Sequence, residues 1–302
     1  MITRRTAIFF AILSSVLSSL GWIFQGEAVS ALTPLIVASA QGILSGLIYY
    51  VHLRWTGTAF PLEKLKRNAR DMFEFTFLRG FLASILLCYA LVTTDSIKAM
   101  FFTKLEPYFI IFWSWILTGQ TVSRYHGALL AVHIVGAILL STGGHFDLGH
   151  SQWGDLMVVV AVGLNSYSYL HATRLSKELG SVHVNGISAL VSGLFLLPFA
   201  LAFSPLAAWN VFTFGWFNLL MVVLLFNVFA LTLWYTALRH IEGWLVSALR
   251  AVGPVFAAPL AWIFVGQELG EMQILGAAIV LLTSAMLALA KSEQPPARSV
   301  SV

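Results

Sequence analysis

Apolar residues run along this chain in long blocks, and polar residues fall in the short intervals between them. Blocks of helical length recur at roughly 6–26, 32–53, 72–93, 97–117, 126–143, 154–173, 183–204, 214–238, 243–265 and 271–290. About 20 residues at 1.5 Å each cross a hydrocarbon core of roughly 30 Å, so each block suits one membrane-spanning helix. The alternating segments of about ten residues that mark a transmembrane barrel are missing. The pattern predicts an all-α integral membrane protein of ten transmembrane helices. The longest connection, Arg54–Asp71, is expected to carry a short amphipathic piece at the interface. The tail 292–302, with Pro295 and Pro296, is expected to be disordered.

Composition sharpens the class and removes several functions. The chain of 302 residues is 59% hydrophobic and 10% charged, against about 25% charged residues in a soluble domain. Its net charge of +4 sits mostly in short loops, which speaks for topology and not for nucleic acid. Arg4 and Arg5 precede an apolar run from Ala7 to Phe24 that superficially resembles a signal peptide. The run exceeds the usual apolar region of about 7–15 residues and more blocks follow, so a retained first helix is expected. A lone cysteine, Cys88, excludes an internal disulfide and any multi-cysteine metal or redox motif. The histidines show no metal-ligand spacing. No phosphate-binding loop is present, so ATP drive by this chain is not expected. No cofactor, metal or catalytic constellation is predicted.

Loop charge sets the orientation. With the N-terminus cytoplasmic, the inside connections hold Arg4 and Arg5; Arg54, Lys64, Lys66, Arg67 and Arg70; Arg124; Arg174 and Lys177; Arg239; Lys291 and Arg298. The opposite side holds Lys98 as its single cation, with Glu27, Asp95, Asp147, Asp155, Glu268 and Glu271. This is the positive-inside pattern, and it predicts both termini on the cytoplasmic face of a plasma (inner) membrane. The basic cluster within Arg54–Asp71 is read first as a topogenic signal and second as a lipid site.

The block 97–117 breaks the apolar rule. Lys104, Glu106 and Pro107 stand near its middle, where each charge costs roughly 2.5–3.5 kcal/mol unless it faces a bundle interior or a watery cavity. Its pattern returns later in the chain. Pro107 aligns with Pro254, Gly119 with Gly266, Gln120 with Gln267 and Ala90-Leu91 with Ala237-Leu238, all at one offset. Tyr89 and Tyr235 precede the last pairs, one residue out of step. Five blocks per half, an odd number, would invert the second copy across the membrane. Inverted repeats with proline-interrupted spans are a signature of alternating-access transporters with a site near the midplane.

On these residues the chain resembles the drug/metabolite transporter superfamily, in its EamA-like branch. The motifs are Tyr89-Ala90-Leu91 and Tyr235-Thr236-Ala237-Leu238; Leu105-Glu106-Pro107 and Val252-Gly253-Pro254; and Gly119-Gln120 and Gly266-Gln267-Glu268. The resemblance covers about 6–290 and implies two inverted five-helix repeats, 1–150 and 151–291, with 292–302 as a cytoplasmic tail. Two positions depart from the family pattern. Gln41 stands where many relatives carry an arginine in the second span, and Gln120 replaces the glutamate of the Gly-Glu motif.

Glu106 is the most informative candidate. Two readings stand: it binds a substrate ammonium or a coupling proton, or it is an ion-pair partner that holds helices together. Lys104 and Glu106 are two residues apart, which puts them on opposite faces of a helix, so each needs another partner. Arg79 in span three and Arg250 in span nine are available. Three deep cations against one carboxylate favour a substrate with a carboxylate or phosphate. Trp22, Tyr89, Tyr169 and Tyr235 are candidate cavity aromatics, with core packing as the alternative for each. Asn165 and Asn227 either bridge helices or touch substrate. His133 is expected to bridge helices. Pro107 and Pro254 are the candidate hinges. Small residues at Gly42-xxx-Gly46, Ser14-xxx-Ser18, Ser15-xxx-Ser19 and Ala189-xxx-Gly193 let helices approach closely, and require no oligomer.

The sequence reading is therefore a secondary transporter in the lipid bilayer and not an enzyme. It exports an amino acid or related small metabolite by alternating access. The alternatives are a carrier of phosphorylated or sugar-linked metabolites, and, from another class, a non-transporting scaffold or embedded enzyme.

Overall fold

The computed structural model describes residues 2–93, 102–103, 105–119, 122–144, 152–211, 213–253, 255–256 and 270–290, with the side chains of Trp22, Ile23, Cys88, 91–93, Thr118, Ser141 and Gln152 set aside. Within these residues the fold is helical. The chain opens with α1 (Arg4–Leu32), α2 (Pro34–Trp55) and the short α3 (Leu62–Arg67). Next come α4 (Ala69–Phe75), a π-helical segment Thr76–Ala83 and α5 (Ser84–Thr93). Then follow α6 (Glu106–Thr118), α7 (Arg124–Thr142), α8 (Gln152–Leu179) and α9 (Ser181–Phe203). The chain continues with α10 (Phe214–Val222), a second π-helical segment Val223–Ala230 and α11 (Leu231–Leu238). It ends with α12 (Gly243–Leu249), which runs into the 3-10 turn Arg250–Val252, and α13 (Glu271–Leu289).

Six described helices are long and apolar enough to cross a bilayer: Arg4–Leu32, Pro34–Trp55, Trp153–Leu179, Ser181–Phe203, Phe214–Leu238 and Glu271–Leu289. The protein is thus a multi-pass membrane protein. The other expected spans appear as shorter or interrupted helices, and parts of the fourth and ninth fall outside the described residues. Several boundaries shift from the hydropathy blocks. α1 continues to Leu32 and carries Glu27 within the helix, because no breaker occurs before Thr33-Pro34. α8 runs to Leu179 and takes in Arg174 and Lys177 before Gly180 ends it.

The two halves share local geometry at one displacement, the one that separates Pro107 from Pro254. The π-helical segments begin at Thr76 and Val223 and end at Ala83 and Ala230. The turn between α1 and α2 is Thr33 (φ 84°, ψ 149°), and the matching turn between α8 and α9 is Gly180 (φ 89°, ψ 147°). Gly42 and Gly46 match Ala189 and Gly193, and these two stripes pack on each other. A methyl group at Gly42 would lie 2.7 Å from Ala189 O and 2.8 Å from Gly193 Cα. Ser39 Oγ donates to Gly193 O at 3.0 Å across the same contact. α2 is thereby held against α9 backbone to backbone. The second close pair is α7 with α13, where Gly136 meets Ile279 and His133 Nδ1 lies 2.7 Å from Thr283 Oγ1, the helix-bridging bond expected of it.

The start of α1 lies against the end of α13. Arg4 Nη1 donates to Ala288 O at 2.8 Å and Nη2 to Ala290 O at 2.9 Å. Ala288 is in the last turn of α13 and Ala290 caps it, where a cation also favours the negative end of the helix dipole.

Candidate functional site

α12 packs along the first half of α6, with Gly243 at its start facing Ile110 and Arg250 at its end facing Glu106. α6 starts at Glu106, with Pro107 in its first turn and Leu105 in a preceding turn. A proline there gives up an N–H that has no helical acceptor in any case, and an acidic residue faces the positive end of the helix dipole. α12 ends at Leu249 and Arg250 caps it, so the cation faces the negative end of its own helix. The two termini bring Glu106 and Arg250 together: Arg250 Nη1 lies 3.4 Å from Glu106 Oε2, with side chains 21% and 13% exposed. Ser247, one turn before Arg250 on the same face, donates its hydroxyl to the same oxygen at 2.8 Å. Pro107 thus stands in the first turn of α6, just after a turn at Leu105 that follows helical Phe102 and Thr103. Of the two cations offered as partners for Glu106, Arg250 takes the role.

The main chain around the pair is pinned from both halves. Ser15 Oγ of α1 donates to Arg250 O at 2.6 Å. Ser166 Oγ of α8 lies 3.3 Å from Glu106 O and 2.7 Å from Val162 O, and donates to one at a time. Removing one partner of such a pair leaves a charge desolvated and costs about 3–5 kcal/mol.

Arg79 lies nearby in a different setting. Its guanidinium carbon is 4.6 Å from the Trp234 ring centroid and 6.0 Å from that of Tyr169. Trp234 and Tyr169 are essentially fully buried and meet edge to face at 4.7 Å; Trp234 and Tyr235 do the same at 4.6 Å. Arg79 interacts with the Tyr235 hydroxyl, and Tyr169 lies in the field of Arg79, Arg250 and Glu106. Among the described residues Arg79 forms no ion pair, and its Nη1 is buried without a hydrogen-bond partner. Trp234 Nε1 is likewise buried and unpartnered, whereas the Tyr169 hydroxyl interacts with Arg250. The site thus joins a neutralised pair, Glu106–Arg250, to an aromatic-walled cation with spare donors. That combination suits an anionic group presented to Arg79.

Of the remaining candidates, Asn227 acts through its backbone: its carbonyl accepts from Tyr49 and Asn185, while its side-chain Nδ2 is buried and unpartnered. Asn165 is partly buried on α8, with its carbonyl bonded to Ser168. Tyr89 is half exposed on α5. Lys104, Pro254 and the side chain of Trp22 lie outside the described residues. Sequence reasoning passed over Trp234 as a site residue and missed Ser247. For Ser247 a signal existed, its helical spacing from Arg250; for Trp234 stacking on Arg79, none did.

A second polar cluster ties α4 to the end of α8, away from the first. Arg174 Nη1 is 3.0 Å from Asp71 Oδ2, and His171 lies 3.7 Å from Asp71 and 3.6 Å from Glu74. Glu178 accepts from Asn68 at 2.7 Å and from Arg67 at 3.1 Å. Arg70 Nε donates to Glu74 at 2.9 Å, and that hydrogen bond raises the Arg70 pKa above its ordinary value.

Known proteins place this architecture. The model of the EamA-like transporter family matches residues 5–142 and again 152–289. The chain is 24% identical over 275 residues to an S-adenosylmethionine/S-adenosylhomocysteine transporter of Chlamydia muridarum, covering 87% of this chain and 85% of that one. It is 22% identical over 298 residues to a pseudopaline exporter of Pseudomonas aeruginosa, covering 96% and 98%. A solved crystal structure, 16% identical and covering 95% of this chain and 97% of that one, superposes with a TM-score of 0.80. At that identity the likeness shows a shared fold.

Proposed function

Since the chain belongs to the EamA-like transporter family, we propose that it is a secondary transporter that exports an amino acid or an amino-acid-bearing metabolite. The observation that carries the substrate class is Arg79: a cation against Trp234 with a buried, unpartnered donor. A substrate carboxylate meets Arg79, and its ammonium competes with Arg250 for Glu106. The named substrates of one relative, S-adenosylmethionine and S-adenosylhomocysteine, carry that amino-acid group, which supports the reading. Two inverted repeats rock about the site in alternating access, and exchange of partners at Glu106 couples binding to the rocking. Glu106 also offers a proton-binding carboxyl once substrate has displaced Arg250.

A second reading draws on the charge surplus: two guanidiniums, Arg79 and Arg250, stand against the one carboxylate of this group. A phosphorylated metabolite would use both. Thermal stabilisation of the purified protein separates the two, because a ligand of the native state raises the melting temperature. Amino acids and their derivatives are expected to stabilise it, and amines or phosphates alone are not. Stabilisation by phosphates alone transfers the site to the second reading. In proteoliposomes, Glu106→Gln is expected to lower flux and flatten its pH dependence. Unchanged flux and pH dependence in folded protein would make Glu106 a structural partner only.

A further inference from the structure

A groove of about 250 Å³ opens on the outer surface of the bundle where the Thr76–Ala83 segment meets α9. One wall is a ladder of rings at helical spacing: Phe73 stacks on Phe77 at 5.8 Å, and Phe77 on Phe81 at 5.5 Å. The facing wall is Ile187, Val191 and Phe195 of α9. Phe73 and Phe195 are more than half exposed. Eight residues of helix separate Phe73 from Phe81, so the ladder is about 12 Å long and runs with the helix axis.

The mouth differs in chemistry from the walls. Leu65 of α3 and Ala69 of α4 close the groove at one end. Their chain neighbours Lys64, Lys66 and Arg70 are all exposed. Lys66 and Arg70 have acidic neighbours on their own helices, Glu63 at 3.8 Å and Glu74 at 2.9 Å. Lys64 forms no ion pair among the described residues. Arg67 is drawn off to Glu178. An apolar slot along a span, closed by residues whose chain neighbours are exposed cations, matches the two ends of one amphiphile. Basic residues just beyond a span attract anionic headgroups by about 1 kcal/mol each.

We infer that this groove binds one acyl chain of an anionic phospholipid, with its headgroup phosphate against Lys64, Lys66 and Arg70. The basic cluster thus serves as a lipid site in addition to setting topology. The site is separate from Glu106, Arg250 and Arg79, so its failure would leave the proposed transport function standing.

The test uses the full chain in nanodiscs with phosphatidylglycerol carrying a photoactivatable diazirine on its acyl chain, and the phosphatidylcholine analogue as comparison. Crosslinks mapped by mass spectrometry are expected within 73–81 and 187–195, at least about fivefold above the phosphatidylcholine level. Val191→Trp fills the slot and is expected to remove these crosslinks while the protein stays folded by its melting curve. Replacing Lys64, Lys66 and Arg70 together by Gln is expected to bring phosphatidylglycerol down to the phosphatidylcholine level. Because those residues also bear on insertion, Val191→Trp provides the arm that does not touch topology. Equal labelling by the two lipids, or labelling unchanged by Val191→Trp, would overturn the inference.

Discussion

In the second half of the chain, the carbonyls that the π-helical segment Val223–Ala230 sets free are taken up. Tyr49 of α2 places its hydroxyl 2.9 Å from Asn227 O, 2.7 Å from Val228 O and 2.6 Å from Thr232 Oγ1. Asn185 Nδ2 donates to that hydroxyl and to Asn227 O. Among the described residues, the matching segment in the first half, Thr76–Ala83, has a lighter clasp. Ser84 Oγ reaches Arg79 O at 3.2 Å, and the rest of its outer face is the open phenylalanine groove. The occupants of corresponding positions differ too. Where one segment carries Arg79, the other carries Phe226, which packs on α1 at Gly21. A π turn releases carbonyls and recurs at functional sites. Here one is stitched into a fixed joint, and its counterpart presents the cation and stays loosely sealed. The same local backbone geometry thus serves as an anchor on one side and holds a buried cation on the other.

The contrast can be broken at several points. The largest effect is expected from Arg79→Met: loss of a charged contact of about 3 kcal/mol corresponds to a roughly 100-fold fall in substrate affinity, read by counterflow in proteoliposomes. Phe226→Leu is expected to leave flux within about threefold and to lower stability instead. Equal losses from both variants would erase the distinction. Next comes Gly80→Ala. The added methyl would run into the Ser192 hydroxyl, with Ser192 Cβ 2.8 Å away, an overpacking cost of about 1–3 kcal/mol. Ser192→Gly in the same chain is expected to restore the melting temperature, since it removes both atoms. Tyr49→Phe unstitches the anchored segment. About 1–2 kcal/mol of stability is expected to go, within the range for buried hydrogen bonds in membranes, with substrate affinity unchanged. Thr33→Gly has the opposite sign. Thr33 holds a conformation that glycine alone adopts freely, as Gly180 does at the matching turn. The variant is expected to gain about 1 kcal/mol, less the value of the Thr33–Ser204 hydroxyl contact at 3.0 Å. Ser84→Ala is the smallest change, expected to stay within about 0.5 kcal/mol.

Much of the fold was legible because a membrane punishes polar residues at every position of a span. The apolar blocks located the described helices apart from the short α3 in the connection 54–71, and the small-residue stripes at Gly42 and Ala189 marked the close packing of α2 on α9. Helix ends were less legible. Hydropathy treats 97–117 as one block and gives no sign of the turn at Leu105, after which α6 begins with the acidic residue and proline of Glu106-Pro107. The site was half legible. Glu106, Arg250 and Arg79 stand out as charges in apolar blocks, but their pairing depends on which helices pack together. Nothing local distinguishes Arg79 on an aromatic ring from Arg79 beside a carboxylate. The π-helical segments left no trace in the hydrophobic pattern, since a one-residue widening of a turn barely moves the apolar face.

The Arg4 contact with the carbonyls of Ala288 and Ala290 has one more consequence. Both ends of the helical body emerge side by side, so a short linker can join them and a new start can be cut between α7 and α8. Such a circular permutant would present the second family-matched segment first and keep every helix contact described above. The order in which the two segments are synthesised would then be separable from the way they pack.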